Sequence, residues 1–362
     1  MALPVRQHDE GLAVGDPLAR GVLLVPQPPF DPHDLVSRLV GSSATDPFDL
    51  VSPASDRVER VVPLGDRPFL LAVEAAESGP GPDGLRLMVR AEDGDTAPDT
   101  THLDLAAAWA TRRFSLDADM AAVCKALEAT PHGAYLVKRC WPLRPPGLAD
   151  PWSCLLSAII GSRIYPGLSV RLQMALAATY GRTATFAGRE YTLFPSVQQV
   201  ASIAPGDLLD LKFSRQKASY LPAIAHDMLA TPARYAWDRL LTLPGPEAVS
   251  VLDELHGVGP WTAGYVALRG LKHPDVFIDD PSLRRIVAPD VEHPEDLTPD
   301  EYMTRTSVYA PYRSFACHYA FMIRFGGDES AQDAASSPPP APVKKPKRTR
   351  TGTRAQPEVD AR

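Results

Sequence analysis

The stretch Leu255-His-Gly-Val-Gly-Pro-Trp-Thr-Ala263 constrains the fold of this chain more than any other. Gly257 and Gly259 stand two apart, which permits a tight turn through positive φ with no side chain in the way. Pro260 has no backbone N–H and suits the first position of a helix. The spacing predicts two helices joined by a hairpin, one ending at Leu255 and one opening at Pro260. Free amide groups at the start of the second helix then point outward as an anion site, and a phosphate is the natural guest. A Gly-Val-Gly corner alone also fits an ordinary turn between packed helices. The longer Leu-x-Gly-Val-Gly-x-Trp-Thr-Ala string is far more specific.

Nineteen residues after Trp261 stands Asp280, in Asp275-Val-Phe-Ile-Asp-Asp-Pro-Ser-Leu-Arg-Arg285. Val276, Phe277 and Ile278 should be buried, which sets the adjacent carboxylates of Asp279 and Asp280 at the edge of the core beside a helix start. Asp280 also reads simply as an N-cap with Pro281 at the first helical position. A capping carboxylate is well held, so the two roles are compatible.

A chain of 362 residues predicts about two domains. Residues 21–25, 58–62, 69–73 and 85–89 read as strands with Gly/Pro/Asp turns between them. Asp31 or Asp34 could cap a short helix holding Leu35 and Leu39, and residues 117–129 have helical spacing. Residues 20–145 thus read as a small α+β domain with an antiparallel sheet, preceded by a frayed 1–19. From Asp150 the pattern changes. Asp150-Pro151 is a helix start, and Trp152, Leu155, Leu156, Ile159 and Ile160 recur at helical spacing. Further helices are expected near 168–180, 196–203, 214–229, 234–242, 281–287, 299–307 and 313–325, so residues 150–327 read as all-α. Residues 328–362 turn to Ser/Pro/Ala and then Lys344-Lys-Pro-Lys-Arg-Thr-Arg350, the composition of a disordered basic tail. Such a tail is either a solvating segment or a loose DNA-affinity arm.

A net charge of −7 argues at first against a nucleic-acid partner. The charge is uneven, however: −8 over residues 1–150, −4 over 151–335 and +5 over 336–362. The four cysteines, at 124, 140, 154 and 317, are too scattered for a disulfide scaffold or an iron–sulfur cluster, which fits a reducing cytosol. No apolar run approaches the ~18–20 residues of a membrane span. The polar, acidic start MALPVRQHDE is unlike a secretory signal.

Residues 150–327 resemble the helix-hairpin-helix superfamily of DNA glycosylases, in which such a hairpin is followed at about this distance by an essential Asp. Within it the chain is most similar to bacterial 3-methyladenine DNA glycosylase II. Pro151-Trp-Ser-Cys-Leu-Leu-Ser-Ala-Ile-Ile-Gly161 looks like that subfamily's first helix, and Phe213-Ser-Arg-Gln-Lys-Ala-Ser-Tyr-Leu221 like its small-residue and lysine motif. Tyr265-Val-Ala-Leu-Arg-Gly270 continues the hairpin, and Pro311-Tyr-Arg-Ser-Phe-Ala316 looks like the closing helix. The resemblance covers roughly residues 20–327. It implies an α+β N-terminal domain followed by an all-α helix-hairpin-helix glycosylase domain, acting as a monomer on double-stranded DNA with a damaged base, away from membranes and near the nucleoid.

The resemblance also implies roles. Asp280 would stabilise the sugar cation that forms as a flipped base leaves. Tyr265 and Phe321 match aromatic residues that stack on that base, with Trp261 as a pocket wall. Core packing is the alternative for these aromatics. Gly257, Val258, Gly259 and Thr262 would meet the DNA backbone. Arg163 stands where the subfamily inserts an apolar wedge, after Ser162 in place of its usual Gln. The acid-bearing segment is one residue shorter than in the subfamily, so Asp279 competes with Asp280; the spacing of the wider superfamily favours Asp280. Members that also nick the backbone carry a lysine where Trp261 stands, which implies a monofunctional enzyme. No cofactor or metal is implied, leaving a monovalent cation at the hairpin as the one ion the turn could hold. Two other readings remain: the same scaffold acting on deaminated or oxidised bases, and a non-catalytic hairpin module that only binds DNA.

Overall fold

Phe69-Leu-Leu-Ala-Val73 is an uninterrupted apolar run, and a strand can be apolar throughout only if both of its faces are covered. The computed structural model describes residues 6–8, 16–36, 47–48, 50–52, 57–76 and 84–325. Six strands form one antiparallel sheet: β1 (Arg6–His8), β2 (Ala19–Val25), β3 (Leu50–Ser52), β4 (Arg57–Leu64), β5 (Arg67–Ala76) and β6 (Gly84–Ala91). Their order is β1-β2-β6-β5-β4-β3, so β5 lies inside the sheet. Val62 of β4 stands opposite Phe69, and Val89 of β6 opposite Leu71.

One face of the sheet is covered by α1 (Thr100–Phe114), whose Ala106, Trp109, Ala110 and Phe114 pack with Phe69, Leu71 and Val73. Asp99 caps this helix through the His102 N–H, and the Trp109 indole donates to the Ala149 carbonyl at 2.8 Å. The periodicity of the sequence did not mark α1, because half of its buried side chains are alanines that give a faint apolar stripe. Small side chains bring the helix close to the sheet.

The other face is covered by a hairpin that corrects the all-α expectation for residues 150–327. Strands β7 (Thr183–Phe186) and β8 (Arg189–Thr192) pair across Ala187 and Gly188, which have φ of 51° and 72°. Two successive positive-φ residues match the strand twist in a two-residue turn. Ala184, Phe186 and Tyr191 face inward onto Leu70. Four residues per strand alternate too briefly to stand out among helical segments. The turn is pinned from the sheet side, where the Asp93 carboxylate accepts from the N–H groups of Ala187 and Gly188.

The other helices are α2 (Met120–Leu127), α3 (Pro131–Cys140), α4 (Pro151–Gly161), α5 (Pro166–Tyr180), α6 (Val197–Ala201), α7 (Pro205–Asp210) and α8 (Arg215–Ala230). They continue with α9 (Pro232–Tyr235), α10 (Trp237–Thr242), α11 (Gly245–Asp253), α12 (Pro260–Tyr265), α13 (Arg284–Val287), α14 (Pro299–Thr306) and α15 (Arg313–Phe325). As expected, Asp150 caps α4 through the Ser153 N–H, with Pro151 at the first position. Leu155, Leu156 and Ile160 of α4 centre a core shared with Leu221 and Ile224 of α8 and Leu252 of α11. A second core gathers Phe277, Ile278, Tyr302 and Tyr319 around Met120, Val123 and Leu136 of α2 and α3. Helix α12 lies between the two: Ala263 and Val266 belong to the first core, Ala267 and Leu268 to the second. It continues as a π turn over Val266–Gly270.

Several N-terminal expectations resolve. Asp31, not Asp34, caps the helical turn at 32–36 through the Asp34 N–H, while Leu39 lies outside the described residues. Within the stretch expected to fray, Arg6–His8 pair with Leu23, Leu24 and Val25 as an edge strand. The basic tail at 328–362 lies outside the described residues. Among the described residues no helix is long and apolar enough to cross a membrane.

Phe186 is fully buried where the hairpin meets the sheet. Phe186→Ala should lower stability by about 3–5 kcal/mol, read as a drop in urea midpoint at constant m-value.

Candidate active site

Helix α11 ends and the chain turns within five residues: the Leu255 N–H donates to Leu252 O, and the Val258 N–H to Leu255 O at 3.0 Å. Of the two glycines, only Gly257 has positive φ, at 81°. A Cβ there would also meet the Tyr220 ring of α8 at 2.4 Å, so both conformation and space demand glycine. Gly259 is extended, with φ −116° and ψ 174°, and a Cβ on it would touch nothing within 4 Å. Nothing among the described residues requires glycine at 259. The bare backbone sits at the uncapped start of α12, open to a close approach from outside.

The residues expected to meet DNA therefore divide. Gly257 is exposed and Gly259 half-exposed, whereas Val258 and Thr262 are buried. His256 is exposed, its ring held edge-on against Tyr220 and its N–H aimed at Asp227. Arg163 lies elsewhere, exposed at φ 57° in the turn between α4 and α5. That turn is braced by Lys217, whose buried ammonium donates to Ile160 O at 2.6 Å and Ser162 O at 2.9 Å. Burial pulls the Lys217 amine below its ordinary range.

Trp261 and Tyr265 share one face of α12 and stack at 5.1 Å with their planes 12° apart. The Trp261 indole N–H donates to Asp280 Oδ2 at 2.8 Å, joining the hairpin to the acid-bearing loop. The other oxygen of Asp280 accepts from the Ser282 N–H at 2.8 Å and the Ser282 hydroxyl at 2.6 Å. Asp280 is thus half-buried and fixed by three donors, two of them from an Asx-type turn. Because residues 281–283 form this turn, the expected helix at 281–287 is shortened to Arg284–Val287.

The neighbouring acid does different work. Asp279 makes a bidentate ion pair with Arg284, at 2.9 and 2.6 Å. Arg284 in turn lies over the Tyr302 ring at 5.2 Å, and the Asp279 hydrogen bond raises the guanidinium pKa. Asp279 is thus engaged in structure, while Asp280 faces the aromatic pair. Phe321, on α15, is half-buried on the same second core as Trp261 and Tyr265, and its ring stacks on Phe325 at 6.2 Å. Sequence reasoning missed the roles of Ser282 and Tyr220. Asp-Pro-Ser is itself a turn signal that would have found Ser282, whereas nothing local marks Tyr220 as the cover of Gly257.

No family model matches the chain. The fold matches that of solved DNA glycosylases. For the 3-methyladenine DNA-glycosylase of Archaeoglobus fulgidus the TM-score is 0.64 at 18% identity, over 82% of this chain and 96% of that one. For the apo-form of the Clostridium acetobutylicum 8-oxoguanine glycosylase/lyase it is 0.61 at 15% identity, over 83% and 95%. At these identities the likeness is one of fold. Curated relatives add a likeness of sequence. The chain is 26% identical over 213 residues to the DNA-3-methyladenine glycosylase of Bacillus subtilis, covering 59% of this chain and 70% of the relative. It is 30% identical over 177 residues to DNA-3-methyladenine glycosylase 2 of Escherichia coli, spanning 48% of this chain and only 58% of the relative. Both relatives carry the name DNA-3-methyladenine glycosylase, and the chain is similar to each in sequence.

Asp279→Asn removes one charge from a partly buried bidentate pair. It should cost about 1–3 kcal/mol of stability. Asp280→Asn should cost less, because it leaves no charged partner unpaired, although an Asn whose carbonyl stays on Ser282 cannot also accept from the Trp261 indole. Parallel urea denaturation of the two variants reads the difference.

Proposed function

We propose that this chain is a monofunctional DNA glycosylase that excises alkylated purines of the 3-methyladenine type. The observation that carries the reading is the pairing of Trp261 with Asp280. One side chain of the hairpin helix fixes the carboxylate, and the same helix presents Tyr265 beside it. A damaged base would be flipped from the duplex toward these groups while the hairpin backbone holds a phosphate.

The chemistry follows from charge. As the N-glycosidic bond breaks, the sugar becomes oxocarbenium-like. A fixed carboxylate stabilises a positive charge that is present only in the transition state. Asp280 supplies it and is already oriented by three donors, so little reorganisation accompanies reaction. Ring methylation makes the leaving purine cationic and weakens its bond, so no strong general acid is required. The faces of Tyr265 and Trp261 would attract such a base by cation–π stacking, worth ~0.5–2 kcal/mol per face. Phe321 is a weaker face and would contribute less. An indole at 261 cannot form the Schiff base of a combined glycosylase and lyase. The half-bare hairpin at Gly257 and Gly259 supports contact with a DNA backbone in particular.

A second reading, excision of oxidised bases, draws on the fold shared with an 8-oxoguanine glycosylase/lyase and on the exposed Arg163 turn. An excision screen over duplexes carrying one defined lesion each separates the two. Release of 3-methyladenine or 7-methylguanine supports the proposal; release of 8-oxoguanine or uracil with methylated purines untouched overturns it.

Asp280→Asn should reduce excision by about 10²–10³-fold while lesion-DNA affinity stays within a few-fold, measured by single-turnover release and by binding titration. Loss of activity in Asp279→Asn with normal stability and an active Asp280→Asn would reassign the acid. Borohydride added during turnover should trap no covalent protein–DNA adduct; an adduct on any lysine would contradict the absence of lyase chemistry.

A further inference from the structure

A cleft of about 1070 Å³ runs between α1 and the segments 268–274 and 312–318. Neither Asp280 nor Trp261, Tyr265 or Phe321 lines it. Arg112, half-exposed, shares the outer part of the cleft with three acids. The acids that line it, Asp104, Asp117 and Asp119, are all exposed and form a rim. Lys272 and His318 lie deeper; His318 is only 2% exposed. The His318 Nδ1 is buried and has no hydrogen-bond partner, a costly state for a ring nitrogen. The Lys272 ammonium, with three protons to donate, meets one carbonyl, Pro145 O at 2.6 Å.

Arg269 stands behind these two groups, with its buried Nε likewise without a partner. Its charge disfavours protonation of both Lys272 and His318, and Asp117 opposes it at Lys272 only weakly. Burial brings the Lys272 amine down to about 7. At the cleft floor Lys272 therefore has donors to spare and His318 an unpartnered ring nitrogen, in an imidazole that burial keeps neutral. Leu268, Leu271 and Phe315 supply an apolar wall beside them.

We propose that this cleft is a second binding site, for a small organic carboxylate whose anionic end is seated on Lys272 and His318 and whose body lies along Leu268, Leu271 and Phe315. A carboxylate offers about four acceptor positions, enough to engage the donors of both groups through charge-assisted hydrogen bonds. A nucleic-acid backbone, with a charge on every phosphate, is repelled by the three outer acids more strongly than a single carboxylate is. The site is independent of base excision, since it shares no residue with the Asp280 centre.

The test titrates the full chain with benzoate and its neutral analogue benzamide, reading affinity by calorimetry in every variant and following the His318 imidazole by ¹H–¹⁵N NMR wherever it is present. Benzoate should shift the His318 resonances saturably, and benzamide should bind at least about ten-fold more weakly. Lys272→Met and, separately, His318→Gln should each weaken benzoate about ten-fold and leave benzamide unchanged; urea denaturation confirms which variant is folded, and either suffices. Equal binding of benzoate and benzamide, unaltered benzoate binding in a folded variant, or no saturable shift overturns the proposal. So does a larger effect of inorganic phosphate than of benzoate on the same resonances.

Discussion

The Trp261 indole donates to the carboxylate of Asp280 across nineteen residues of chain, and the arrangement of the site hangs on that one bond. It is directional, so it fixes the rotation of α12 as well as the position of the acid. That rotation sets Tyr265 against Trp261 on the same face and turns Ala263 and Val266 into the core around α4. The hairpin is held from its other end by α8. Tyr220 occupies the space beside Gly257 that any side chain would need, which couples the turn to packing as well as to backbone torsion. Hairpin, acid and aromatic pair therefore form a single mechanical unit.

Electrostatics divides labour between adjacent carboxylates. Asp279 is neutralised by a guanidinium in matched bidentate geometry, and Asp280 accepts only from neutral donors. A carboxylate satisfied by dipoles retains its full charge for a cation that appears nearby, whereas one paired with arginine has already spent it. The difference arises because Arg284 reaches Asp279 from five residues downstream, while the Asx-type turn at Ser282 claims Asp280.

Much of this was legible from local rules. The Asp150-Pro151 helix start, the strands β2, β4, β5 and β6, and the hairpin between Leu255 and Pro260 follow from caps, alternation and glycine spacing. What escaped was decided at long range. Half of the buried side chains of helix α1 are alanines, so only the sheet beneath it reveals which side is inner. The β7–β8 hairpin sits among helices because the outer face of β5 needs a cover near Leu70. The glycine spacing announces a tight turn through positive φ but not which glycine takes it, and Gly257 does. The separation of Asp279 from Asp280 depends on a partner that spacing alone does not announce.

The second core joins distant parts of the chain. The Tyr319 hydroxyl of α15 donates to Leu143 O, a contact 176 residues long in sequence, and α2 and α3 have their apolar faces against segments beyond residue 266. During synthesis from the N-terminus, those two helices emerge long before anything that can bury them. The sheet with α1 can consolidate early, but α2 and α3 must wait, apolar side outward, until α15 leaves the ribosome. The last described helix is in this sense the clasp of the fold, and a nascent chain stalled short of it would present its greasiest surface to the cell's chaperones.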